Sequence, residues 1–296
     1  MTGWLVVNEF LTTNKYSELN QWLLKAAEKR NIELEIKTNA QLMVGLPYIN
    51  GKPDFVLFWD KDIRLANYLE DCQIPVFNSA KSIEICDDKS YTYLQLLKAN
   101  LPMPKTVLGP KTFDTVGYKK QEFLKDIQQY LGYPLVVKEC FGSFGQQVYL
   151  AKDYDQLVKV VESTCPKPIL FQEFVESSFG RDVRIQVVGD QVVASMYRYS
   201  ENGDFRANLS IGGSMQPYEP NEEEIKLAVD CVKAIGLDFA GVDLLFGTDD
   251  KPIICEVNSN AHFKNIYDCT KVDVAGCILD YIMRQLSTSN NENNKC

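Results

Sequence analysis

Two carboxylates and an amide near the C-terminus have the types and spacing to hold a hard cation. Asp243 lies in Gly241-Val242-Asp243-Leu244-Leu245, and Glu256 and Asn258 lie in Cys255-Glu256-Val257-Asn258. Gly247-Thr248-Asp249-Asp250-Lys251, between them, has the composition of a turn. A hairpin folded about that turn places Asp243 opposite Glu256, and strand alternation puts Asn258 on the face of Glu256. Like charges facing each other across a ladder repel. A cation between them reverses the sign. An all-oxygen donor set suits magnesium or manganese, with phosphate oxygens completing the shell. On the hairpin alone, an exposed turn whose acids face water is an equally good reading.

Other residues have types suited to an anionic nucleotide. Lys138 ends the apolar run Leu135-Val136-Val137 and precedes Phe141-Gly142-Ser143-Phe144-Gly145. A lysine there can reach a phosphate, and glycines let backbone N–H groups approach phosphate oxygens. A plain turn is the competing reading. No Walker A, kinase signature or G-x-G-x-x-G occurs. Gln172-Glu173-Phe174-Val175 reads as a strand running into a loop, and Asp182 and Arg184 share a strand face. Gly203-Asp204-Phe205-Arg206-Ala207-Asn208 is a polar segment in which Arg206 could be a solvated cation.

These groups need elements to position them. Residues 1–86 read as an open α/β domain: a strand at Trp4 to Val7, a helix from Ser17 to Arg30, and strands at Ile32 to Ile36 and Asp54 to Trp59. Ligands of such sheets sit beyond the carboxyl ends of the strands, which here carry Asn8-Glu9 and Asp60-Lys61-Asp62-Ile63-Arg64. Lys61 and Arg64 are candidates for a substrate carboxylate, with a solvated surface pair as the alternative. Residues 87–170 carry the helix opened by Asp87-Asp88-Lys89-Ser90, a helix from Phe123 to Leu131, the Lys138 strand with its glycine loop, and a helix from Tyr154 to Ser163. Residues 171–286 are strand-rich, with a hairpin about Gly189-Asp190, a helix from Glu222 to Ile235 ended by Gly236, the acidic hairpin and a final helix from Val272 to Leu286. The polar tail, 287–296, reads as disordered.

Composition narrows the function classes. A net charge of −9 argues against a nucleic-acid surface, which needs a clustered basic face. No apolar run approaches the roughly 20 residues that span a bilayer. Nine scattered cysteines without a C-x-x-C pair read as reduced thiols of a cytoplasmic protein rather than a disulfide framework or zinc site.

In this order, Lys89, Val137-Lys138 with its glycine loop, Gln172-Glu173-Phe174-Val175, Asp182-Val183-Arg184, the Gly203 to Asn208 segment, Gly241-Val242-Asp243 and Glu256-Val257-Asn258 resemble the ATP-grasp superfamily. Within it the chain is similar to the RimK-type α-L-glutamate ligases, over roughly residues 85 to 285. The resemblance implies a two-subdomain ATP-grasp fold, α/β and α+β in class, behind the N-terminal α/β domain. It implies an ATP-dependent ligase that joins a carboxylate to an amine through an acyl phosphate. Lys89 and Lys138 would contact ATP phosphates or the adenine edge, with Gly142, Ser143 and Gly145 closing over the phosphates. Gln172, Glu173, Phe174 and Val175 would line the adenine hinge, and Asp182 would take the ribose hydroxyls. Arg206 and Asn208 would lie on the transferring phosphates, and Arg206 or Arg184 would stabilise the developing oxyanion. Asp243, Glu256 and Asn258 would carry two magnesium ions, with manganese as an alternative.

After Asn258 many relatives continue with a Ser-Pro-Gly-like stretch, whereas this chain reads Ser259-Asn260-Ala261-His262-Phe263. His262, the sole histidine, either contacts substrate or is a structural loop residue. The implied partners are ATP, an amino-acid or carboxylate substrate and an amine acceptor, with neither nucleic acid nor membrane. A homo-oligomer, a peptide- or carrier-modifying ligase, and a nucleotide-binding regulatory protein without the chemistry stay open.

Overall fold

The computed structural model describes residues 1–46, 51–142 and 145–293, whose strands form three sheets. The first contains β1 (Thr2–Val7), β2 (Glu33–Thr38), β3 (Phe55–Phe58) and β4 (Val76–Phe77), all parallel in the order β2-β1-β3-β4. Alternation along β1 sends its side chains into two cores. Leu5 and Val7 join Leu19 and Leu23 of α1 (Asn14–Glu28) and Ile278 and Ile282 of α9 (Val274–Asn293). Trp4 and Val6 join Leu65 and Leu69 of α2 (Ile63–Asp71) and Ile83 of α3 (Ala80–Asp87). Burial on both faces is why these strands read as unbroken apolar runs.

The second sheet is antiparallel, in the order β5-β8-β6-β7: β5 (Thr106–Leu108), β6 (Leu135–Glu139), β7 (Val148–Ala151) and β8 (Ile169–Glu173). Helices α5 (Phe123–Leu131) and α6 (Tyr154–Thr164) cover one face through a core of its own, in which Leu124, Ile127, Leu157 and Val161 meet Val137 and Phe171. The third, also antiparallel, runs β11-β10-β9-β12-β13: β9 (Arg181–Val188), β10 (Gln191–Ser200), β11 (Gly213–Pro217), β12 (Phe239–Phe246) and β13 (Pro252–Asn258). One face is covered by α7 (Glu222–Ile235), held at its start by a reciprocal Asn221–Glu224 capping box. On the other side the chain leaves β13 through a loop into α8 (Lys264–Thr270).

Three expectations about boundaries need correction. The division at 170/171 cuts through β8, which belongs whole to the second sheet. Helix α4 (Lys89–Lys98), expected in the central subdomain, places Leu96 in the core under the third sheet. The tail expected to be disordered is helical through Asn293, because α9 continues past Leu286; 294–296 lie outside the described residues.

The first and third sheets share a core. Val188, Met196, Phe239 and Phe263 belong to the same apolar cluster as Leu5, Leu19 and Ile278. A buried amide secures this seam. Asn78, fully buried, donates to the carbonyls of Phe239 (3.0 Å) and Ser259 (3.1 Å) and accepts from the N–H groups of Asp238 (2.6 Å) and Phe239 (3.2 Å). Removing it orphans several buried backbone groups at once. We expect Asn78→Ala to cost about 3 kcal/mol, a fall of roughly 6–12 °C in a thermal melt. An unchanged melting temperature would mean that the seam holds without the amide.

Candidate active site

The site is a cleft between the second and third sheets, lined among others by Lys138, Glu173, Asp182, Arg206, Asp243 and Glu256. Alternation in β6 sends Leu135 and Val137 into the core and turns Lys138 toward the cleft. Lys138 is only 8% exposed, and among the described residues no carboxylate lies within ion-pair distance of it. Its Nζ is 3.8 Å from Cys255 Sγ, a thiol whose pKa burial raises, so this neighbour stays uncharged. A buried ammonium without a counter-ion is costly and calls for an anion such as phosphate.

The third sheet arranges its charges in rows. Asp243 on β12 faces Glu256 on β13 and Arg184 on β9, while Asp182 faces Arg198 on β10. A bulge after Asp243 sets the first pairing, since two residues nearer the turn Leu245 pairs with Ile253. Arg184 binds Asp243 through Nε (2.7 Å) and Nη2 (2.6 Å), and Arg198 binds Asp182 in the same way (2.6 and 2.8 Å). Arg198 also lies 3.0 Å from Asp243 Oδ2 and so joins the two pairs. Burial works against the Asp243 anion, but Arg184 and Arg198 prevail and hold its carboxyl below the usual carboxylate range.

Asp243 accepts two hydrogen bonds from Arg184 and has Arg198 Nη2 at 3.0 Å, contacts that leave about one of a carboxylate's four acceptor positions open. Glu256 is 3.2 Å from Lys89 Nζ and borders the cleft. Asn258 buries an Nδ2 that has no partner among the described residues, and exchanging the amide's N and O directs its oxygen to that position instead. The three donors are oxygens on neighbouring strands, and they fit an oxygen-seeking cation.

The glycine loop is latched by cations. Lys89 Nζ donates to Gly142 O (3.0 Å), and Arg206 Nη1 donates to Gly145 O (2.7 Å). Gly145 has φ +72, and a Cβ there would come within 2.8 Å of Asn208 Oδ1, so glycine is required. Ser143 lies outside the described residues. The hinge residues border the cleft together: Gln172 bonds Thr106 Oγ1 (2.9 Å), Glu173 accepts from Lys105 N (2.7 Å), and Phe174 meets Phe179 and Phe205 edge-on. Val175 completes this wall.

A second, larger cavity of about 650 Å³ adjoins the cleft, bordered by both the first and the third sheet units. Lys89, Gly142, Arg198, Asn208 and Glu256 border both spaces. His262 lies here beside Tyr16, ring centroids 5.8 Å apart, and its buried Nε2 has no partner among the described residues. Burial first, then the charges of Lys15, Arg184 and Lys264, push its pKa down to about 4, so the ring is neutral at physiological pH. The loop that carries it packs closely on the sheet: a Cβ on Gly241 would stand 2.5 Å from that of Ala261. Lys61 borders the cavity but pairs with Asp87. Arg64 is not brought in: its side chain is 92% exposed, with Asp62 at 3.7 Å, so it fits the solvated reading.

The sequence reading missed Arg198 and Lys15. Arg198 sits in an aromatic strand run, Tyr197-Arg198-Tyr199, and only the β9–β10 register shows that it links Asp182 to Asp243. Lys15 stands at the start of α1 with no local motif to mark it.

Comparison with known proteins agrees with this geometry. The family model described as the RimK-like ATP-grasp domain matches residues 86–282. The chain is 38% identical over 259 residues to an uncharacterized protein of Mycoplasma pneumoniae, covering 84% of this chain and 88% of that one. It is 32% identical over 288 residues to human N-acetylaspartylglutamate synthase A, covering 89% and 72%. In fold it resembles the D-alanine–D-alanine ligase of Bacillus anthracis, with TM-score 0.74 over 99% of both chains at 17% identity. Among the described residues no helix is long and apolar enough to cross a membrane.

Proposed function

This chain belongs to the RimK-like ATP-grasp family, and we propose that it adds an amino acid such as glutamate, through its amine, to the carboxylate of a small molecule or peptide. ATP-dependent formation of a carbon–nitrogen bond comes with the family. Glutamate is favoured by the similarity to N-acetylaspartylglutamate synthase A, whose name contains that amino acid. The observation that carries the reading is the junction of the two adjoining cavities, which share Lys89, Gly142, Arg198, Asn208 and Glu256 in their walls.

The chemistry requires that junction. A carboxylate must take the γ-phosphoryl group of ATP to become an acyl phosphate, and a neutral amine then displaces phosphate. Phosphoryl transfer needs in-line positioning and neutralised oxygens. In this reading Lys138 and Lys89 hold the phosphates, Arg206 and Asn208 border the transferring group, and Arg184 faces the oxyanion of amide formation. Two magnesium ions, held by Asp243, Glu256 and Asn258, would neutralise phosphate charge. Glu173 and Phe174 would hold adenine, and Asp182 the ribose. Water must be kept from the acyl phosphate, a task for the Gly142 to Gly145 loop latched by Lys89 and Arg206.

The test is ADP release with a panel of amino acids and carboxylates, with product identified by mass. ADP release that needs both a carboxylate and an amine, with a product equal to their sum less water, is expected. Release indifferent to every amine would defeat the ligase reading of the cavity.

His262 is too weak a base to serve as the proton acceptor, because its pKa is held near 4. A neutral ring can still hydrogen-bond a substrate. We expect His262→Ala to lower kcat/KM for the amine about tenfold, or about 1.4 kcal/mol, and to spare ATP affinity. A change in melting temperature alone would make it structural. The sign of the pH effect is also set. A folded pKa below the unfolded value makes the neutral ring stabilising above about pH 6.5, and this is lost as pH falls toward 4.

A further inference from the structure

Three carboxylates border the larger cavity: Asp60, Asp87 and Glu256. Two have cationic partners, since Lys61 turns to Asp87 and Lys89 to Glu256. Asp60 is the exception. It is 6% exposed, and among the described residues it forms no ion pair. Oδ1 accepts from Lys61 N (2.8 Å) and Asn8 Nδ2 (3.1 Å), and Oδ2 has only the longer contact to the same Nδ2, at 3.4 Å. Oδ2 therefore keeps acceptor capacity. A buried carboxylate held by neutral donors alone is expensive unless a cation reaches it.

Its place in the fold points to a ligand. Asp60 follows β3 and Asn8 follows β1, and the sheet order β2-β1-β3-β4 reverses direction between these two strands. In open parallel sheets ligands bind at that reversal, beyond the carboxyl ends. Asn260, from the loop after β13, donates to the Asp60 carbonyl (2.9 Å), tying this corner to the loop that carries His262. Elsewhere the cavity wall offers hydrogen-bond donors: Lys15, the neutral His262, and Arg184, which is already paired with Asp243. A ligand with a cationic amine and one or more carboxylates matches both regions.

We propose that Asp60 binds the ammonium group of the incoming amino acid, while the Lys15–Arg184–His262 wall takes its carboxylate. This rests on the amino-acid reading given above and adds the residue that selects the amine. The chemical step stays that of the ligase: the ammonium passes one proton to the Asp60 carboxylate, the freed amine nitrogen attacks the acyl carbon, and the second proton leaves with the departing phosphate as the carbon–oxygen bond breaks. The pKa of Asp60 is raised, chiefly by burial, which is the state that an ammonium partner would relieve.

Calorimetry with a non-hydrolysable ATP analogue and magnesium present tests this, with L-glutamate and glutarate as probes. Glutarate keeps both carboxylates and lacks the amine. The wild type should bind glutamate about 30-fold more tightly than glutarate, and Asp60→Asn should lose about that factor for glutamate alone. ATP-analogue affinity should not move, and Asp60→Glu should recover part of the loss. Equal wild-type affinity for the two probes overturns the assignment without any variant. So does unchanged glutamate binding in a folded Asp60→Asn, or an equal loss for both probes. A wild type that binds no amino acid of the panel overturns the amino-acid reading and Asp60 with it, an outcome distinct from the others.

Discussion

Glu256→Gln is expected to lower kcat by about 10³-fold, some 4 kcal/mol of transition-state stabilisation, while the protein stays folded. Three positions of Glu256 support this. It stands opposite Asp243, 3.2 Å from Lys89, and at the junction of the two cavities. Glutamine keeps its size and one oxygen toward Lys89 but removes the charge that a metal–nucleotide complex needs. Stability should change little, because the side chain is 29% exposed and its ion pair only partly desolvated. Steady-state ADP release, titration with magnesium and a thermal melt on one preparation check the prediction. Wild-type turnover would remove Glu256 from the metal assignment.

Lys138→Met should move two quantities in opposite directions. The affinity for an ATP analogue is expected to fall about 100-fold, since a buried charge pair with phosphate is worth a few kcal/mol. The nucleotide-free protein should melt at the same temperature or higher. Lys138 is buried against a neutral thiol, and among the described residues no carboxylate lies within ion-pair distance of it, so its charge costs stability until an anion arrives. Methionine fills similar volume without that cost. A merely structural lysine would show the reverse, with lower stability and unchanged affinity by calorimetry.

Long amphipathic helices were legible in the sequence. The spans expected for Phe123–Leu131 and Glu222–Ile235 coincide with α5 and α7, where periodicity and a terminal glycine agree. Short elements such as β4, β5, β7 and α8 were not, since two to seven residues carry too little pattern. The acidic hairpin was readable because a polar turn divides two apolar runs, but its register depends on a bulge. Pairing by Leu245 with Ile253, carried inward unbroken, would set Cys255 rather than Glu256 against Asp243. The same limit hid Arg198. Counting back from Gln191 opposite Val188 puts Tyr197 opposite Asp182, and the irregularity between Val192 and Ala194 substitutes Arg198. A one-residue slip exchanges the two faces of a strand, and no local residue type announces it. Asn78 was unreadable for another reason: its partners are distant in sequence, at Asp238, Phe239 and Ser259; the strand ends carrying Asn8 and Asp60 were legible, but not the contact between them.

The core shared by the first and third sheets bears on how such a ligase can diversify. The matched family segment starts at residue 86, yet the apolar floor under β9, β10 and β12 is completed by Leu5, Leu19 and Leu23 from before that point. Arg30 of the early chain grips Asp280 of α9 with two hydrogen bonds of 2.7 Å. The N-terminal unit therefore cannot be traded as a cassette, because an exchanged one would have to bring a matching floor and clasp. Point changes at the rim of the larger cavity, at positions such as Lys15, Asp60 and His262, leave that floor and clasp intact.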